Sequence, residues 1–145
     1  MHDAYDFTQP WDSPQNMAIT QNIPPVFICP SSPNHSDTHY VLITGKDTCF
    51  DGSKAIKFRE ITDGTSQTLF VVEARESGIH WSEPRDYDTA SFTATGDPGG
   101  LSSYHSGGFN ALFGDGSVRF INESTNVRIL KGLITPSGGE VIGEF

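Results

Sequence analysis

Alternation of apolar and polar positions marks several extended segments along this chain. The run His105-Ser-Gly-Gly-Phe-Asn-Ala-Leu-Phe-Gly-Asp-Gly puts Phe109, Ala111 and Phe113 on one face of an extended stretch, and the alternation resumes with Val118 and Phe120 against Arg119 and Ile121. Gly114-Asp115-Gly116 supplies a positive-φ turn between them, so the whole predicts a β-hairpin. Tyr40–Thr44 is β-branched and aromatic, stops at Gly45 and predicts another strand. Leu69-Phe70-Val71-Val72 is the most apolar stretch and predicts a central, buried strand. Glu73 follows it directly, and a carboxylate carried inside by such a strand needs partners. Val26-Phe27-Ile28 predicts a brief strand entering a Cys29-Pro30 corner, and residues 140–145 predict a last one.

Helical signals are short. Residues 16–22 predict a helical turn that Pro24-Pro25 ends. Ser124 or Thr125 can cap a helix whose Val127, Leu130 and Leu133 or Ile134 share a face, and Pro136 stops it. Residues 77–100 form a long irregular excursion whose Trp81, Tyr87 and Phe92 point to packing. No internal repeat or low-complexity tract appears, and 145 residues suit one domain spanning 1–145. The fold class expected is α+β and β-rich: an antiparallel sheet with long loops and short helices.

Composition narrows the functional classes. Eighteen acidic against 9 basic side chains give a formal net charge of −9, which opposes contact with phosphate backbones, so nucleic acid is not an expected partner. No window approaches the roughly 18 apolar residues needed to span a bilayer. The 15 Gly and 9 Pro are spread along the whole length, which excludes long helices.

Candidate chemistry is sparse. His105 and Asp115 invite a catalytic or ligand pair, but a nine-residue strand between them holds its ends roughly 30 Å apart, so Asp115 is expected to bond within its own turn and His105 to anchor a loop. The other histidines, His2, His35, His39 and His80, are scattered, and only His35 and His39 stand at helix-like spacing, inside an apparent loop. For calcium, which takes six to eight oxygens, the least dispersed carboxylates are Glu83, Asp86 and Asp88; no spaced calcium loop is present, and no cofactor is expected beyond that ion. No Gly-x-Ser-x-Gly occurs and Thr65-Ser66 has no identifiable histidine, so no catalytic residue is assigned and the chain is read as non-enzymatic.

Several ordered motifs resemble the bacterial family catalogued as domain of unknown function 1559. His105, Gly107, Gly108, Asp115 and Gly116 match its C-terminal signature, region 105–116, in which nine residues separate the histidine from Asp-Gly. Phe27-Ile-Cys29-Pro30-Ser31-Ser32 is similar to its Cys-Pro-Ser segment, and Asp63-Gly64-Thr-Ser-Gln-Thr to its Asp-Gly-Thr-Ser-Asn-Thr segment. Trp81, Pro84 and Asp86 match a Trp-x-x-Pro-x-Asp element, and Gly138-Gly139-Glu140-Val141 the chain end. Gln67, Ser106 and Gly114 depart from the usual Asn, Pro and Ala.

The resemblance implies a type IV pilin-like or pseudopilin-like subunit: a long apolar N-terminal helix followed by a β-rich globular head. The segment beginning Met1-His-Asp-Ala-Tyr has no counterpart to that helix, so the chain reads as a head whose helix was removed or never existed. Such a head is expected to be exported, at the cell surface, in the periplasm or outside the cell. Its expected partners are other pilin-like subunits or copies of itself, with membrane contact only through the helix. In that setting Cys29 and Cys49 are candidates for a disulfide worth about 3 kcal/mol. The alternatives are an extracellular carbohydrate-binding or adhesion module using Trp11, Trp81 and Tyr87 as platforms for a glycan, and an uncharacterised hydrolase.

Overall fold

Phe109, Ala111, Phe113 and Ile121 are each at most 1% exposed, the outcome of the alternation that makes a hairpin of this part of the chain. A computed structural model describes residues 1–52, 54, 56–91, 101–140 and 143. The hairpin consists of β4 (Gly108–Phe113) and β5 (Val118–Asn122), paired antiparallel from Gly108↔Asn122 to Leu112↔Val118. Its turn needs a left-handed residue, which Gly116 provides at φ 84°, and Gly116 N–H closes it on Phe113 C=O.

Strand β1 spans Tyr40–Thr44, β2 spans Leu69–Glu73, and the two-residue β3 is Tyr87–Asp88. With the hairpin they form a five-stranded sheet in the order β3-β1-β2-β4-β5, antiparallel except where β3 runs parallel to β1. The architecture is α+β and β-rich, and β2 lies at the centre of the sheet as its apolar run predicts. A register irregularity between Leu69 and Val71 breaks strict alternation there, so that Leu69 and Val72 are both buried.

Helix α2 (Val127–Ile134) buries Leu130, Leu133 and Ile134 in the core together with Val41, Ile43, Val72 and Phe109. Its cap is Asn126, whose side chain accepts Arg128 N–H at 2.8 Å, in place of the expected Ser124 or Thr125. Helix α1 (Pro14–Thr20) begins two residues earlier than the sequence suggested, because Ser13 caps it and Pro14 takes the first helical position. The strand expected at Val26-Phe27-Ile28 is instead a 3-10 turn over Pro25–Phe27, since adjoining prolines fix φ near the turn value and remove donors from any ladder. Glu140 is not in a strand, and residues 141, 142, 144 and 145 of the expected last strand lie outside the described residues, as does Phe92.

The second sheet face carries a cross-strand row. Leu42 pairs with Val71, Val71 with Leu112, and Leu112 with Val118. The first three are partly exposed, while Val118 is 65% and its neighbour Phe120 48% exposed on β5, a sheet edge. No helix among the described residues is long and apolar enough to cross a membrane.

Candidate functional site

The carboxylate at the end of β2 finds its partners inside the fold. Glu73 is 2% exposed, and its Oε2 accepts the Asn110 main-chain N–H at 2.6 Å and the Asn110 amide at 3.2 Å. The other oxygen, Oε1, faces His105 Nε2 at 3.4 Å. His105 is delivered by the loop entering β4: Gly107 turns at φ 84°, and Ser103 Oγ accepts His105 N–H at 2.9 Å while donating to Gly108 C=O at 2.6 Å. Gly108 itself cannot carry a Cβ, which would collide with Ile121 C=O and the Phe120 ring.

Cys29 arrives from the other side. Its Sγ stands 3.5 Å from the same His105 Nε2, while Ser31 Oγ lies 3.5 Å from His105 Nδ1. The Cys-Pro corner is held from within: Cys29 N–H donates to His39 Nδ1 at 3.0 Å, His39 N–H to Phe27 C=O at 2.8 Å, and Ser32 N–H to Cys29 C=O at 2.9 Å. Sγ of Cys29, a carboxylate oxygen of Glu73 and a ring nitrogen of His105 all lie within 4.8 Å of one another. Among the described residues this is the sole group of three or more His, Cys, Asp and Glu side chains so placed.

Electrostatics around the cluster follow from burial. His39 is 2% exposed and burial lowers its basicity, with Asp37 opposing and His35 reinforcing the shift, so the ring favours the neutral form that accepts from Cys29 N–H. Tyr40, the cross-strand partner of Glu73, has its hydroxyl acidity weakened by burial first, then by the negative charge available on Glu73 and Cys29. A cleft of about 260 Å³ opens beside His105, lined also by Arg75, Ser103, Gly107 and Glu123.

The expected Cys29–Cys49 disulfide is not formed: both thiols are free and buried. Cys29 faces His105, whereas Cys49 lies in the loop after β1, where burial weakens its acidity. Glu83, Asp86 and Asp88 do not converge as the calcium reading requires. Glu83 pairs with Arg85 at 2.5 Å, Asp86 accepts Leu42 N–H at 2.9 Å, and Asp88 accepts Ala90 N–H at 2.9 Å. Asp115 bonds Ser117 N–H and Oγ within its turn, far from the role of a partner to His105, as the hairpin geometry predicts.

Two other motif segments meet each other. Asp63, beside Gly64 at φ 98°, accepts Gly138 N–H at 2.7 Å and Gly139 N–H at 3.0 Å, fastening the residues after α2 to the loop before β2. Trp81 donates its indole N–H to Thr20 C=O at 2.8 Å and stacks on Phe27, while Trp11 stacks on His80. The cluster at His105 was missed in the sequence because no local pattern links its members. The signals present were Glu73 directly after an apolar run and the occurrence of Cys29 and His105 in two separate motifs.

The family model described as Protein of unknown function (DUF1559) matches residues 34–97 and 89–128 of this chain. No curated protein and no solved structure matches it.

Proposed function

Because the chain belongs to the DUF1559 family, we propose that it is the exported head of a pilin-like or pseudopilin-like subunit, with its work in assembly and not in turnover. The observation that carries this reading is the apolar row Leu42, Val71, Leu112 and Val118 on the second sheet face, continued by exposed Phe120 on an edge strand. An apolar stripe ending on a strand whose outer edge has no partner strand among the described residues suits contact with another subunit, through strand-edge pairing or through an apolar helix laid across the row. A net charge of −9 keeps such a head dispersed until that contact forms.

In this reading the partners are further subunits of the same kind, and the setting is the cell surface, periplasm or medium. The glycan alternative relies on tryptophan platforms, and it is weakened because Trp11 and Trp81 are engaged with His80 and Phe27. Electron microscopy of material purified from native cells, labelled with antibody to this chain, tests the reading. Labelled filaments or fibrous assemblies are expected; label confined to a glycan-bound monomer would refute it.

A further inference from the structure

We propose that Cys29, Glu73 and His105 bind a single Zn²⁺ ion in a four-coordinate site whose fourth position is taken by water. The donor spacing supports this. For zinc bonds of about 2.3 Å to sulfur, about 2.05 Å to nitrogen and about 2.1 Å to oxygen, tetrahedral angles place the donors roughly 3.5 Å apart for S···N and roughly 3.4 Å for N···O. Sγ of Cys29 lies 3.5 Å from His105 Nε2, and Nε2 lies 3.4 Å from Glu73 Oε1.

The direction of the donors separates this site from a nucleophilic dyad or triad. A thiol activated by histidine uses one ring nitrogen, and the orienting carboxylate uses the other. Here the thiol and the carboxylate both face Nε2, while Nδ1 faces Ser31 Oγ. One ring nitrogen carries a single in-plane lone pair or proton, so it serves both neighbours at 3.5 and 3.4 Å only through one long, shared three-centre hydrogen bond. An ion placed between the three atoms satisfies all of them.

Each ligand is also held by an outer partner, the arrangement that fixes metal ligands in orientation. Asn110 takes Glu73 Oε2 through two donors, leaving Oε1 for the ion. Ser31 sits at the far nitrogen of His105, and His39 holds the Cys29 main chain. The donor set selects the metal: sulfur and imidazole disfavour calcium and magnesium, and a thiolate with an imidazole at these two separations suits zinc. Glu73 and a Cys29 thiolate would together carry two negative charges at 2% and 1% exposure, which a divalent ion neutralises. His105, with a third of its side chain exposed, leaves an approach for water.

The test uses the whole chain, stripped with chelator and kept under a reductant. Calorimetric titration with Zn²⁺ alone should show one equivalent bound, and Co²⁺ should give the visible bands of four-coordinate cobalt with a near-ultraviolet thiolate-to-cobalt band. Cys29→Ser should abolish the thiolate band and, like His105→Gln, weaken Zn²⁺ binding at least tenfold. Cys49→Ser should leave both readouts unchanged. Absence of Zn²⁺ binding by the parent chain would overturn the proposal, as would a cobalt spectrum without the thiolate band or one lost in Cys49→Ser.

Discussion

Replacing Glu73 tests whether its buried carboxylate is a supported element of the fold. The side chain is 2% exposed and accepts two Asn110 donors, the shorter at 2.6 Å. Glu73→Ala leaves the Asn110 N–H without its acceptor in a water-poor position, a loss of about 1–3 kcal/mol, and opens a cavity besides. Together these amount to about 3 kcal/mol, and at about 2–4 °C per kcal/mol for a domain near this size the midpoint should fall by roughly 6–12 °C. Glu73→Gln keeps an oxygen for Asn110 N–H but loses the charge-assisted part of the bond, so its cost should be about 1 kcal/mol. Thermal unfolding followed by circular dichroism, in chelator and reductant so that no metal contributes, measures both. A buried charge without adequate partners would lower stability, and its removal would raise the midpoint. The reasoning fails if either variant is as stable as the parent, or if Gln costs as much as Ala.

Three further outcomes follow from the geometry. Burial lowers the His39 basicity, so the folded state favours the neutral ring; the stability tied to it is complete above the ordinary value of 6.5 and is lost as pH falls below that. The unfolding midpoint should therefore drop on acidification through that range, and His39→Asn, whose amide oxygen can replace Nδ1 as acceptor, should flatten the profile. Gly108→Ala should lower stability by about 2 kcal/mol or more in denaturant unfolding, because the new methyl meets Ile121 C=O. Asp63→Ala should cost about 1 kcal/mol and speed amide exchange at Gly138 and Gly139, whose N–H groups lose their acceptor.

The elements legible in the sequence were those whose signal is local. Tyr40–Thr44 forms the strand its β-branched run predicts, and the hairpin appears because alternation and Gly116 agree on one register. The parallel strand Tyr87–Asp88 carries no periodic signal, since two residues held by main-chain pairing to β1 leave no pattern to read. Val26-Phe27-Ile28 is apolar enough for a strand, but the neighbouring prolines set a 3-10 turn over Pro25–Phe27. The Cys29–Cys49 pairing failed for a different reason: a spacing says nothing about where two Cβ atoms point, and the thiol of Cys29 is directed at His105. His105 and Cys29 are 76 residues apart, and they reach Glu73 from the loop entering β4 and from the corner held by His39.

Contact between subunits through the β5 edge is tested most directly by photo-crosslinking in intact cells, with a benzoylphenylalanine in place of Phe120 and, as a control, in place of Arg59. Irradiation of the Phe120 replacement should give a ladder of masses at multiples of the subunit, with none from the control. A monomer alone from both positions would contradict the account.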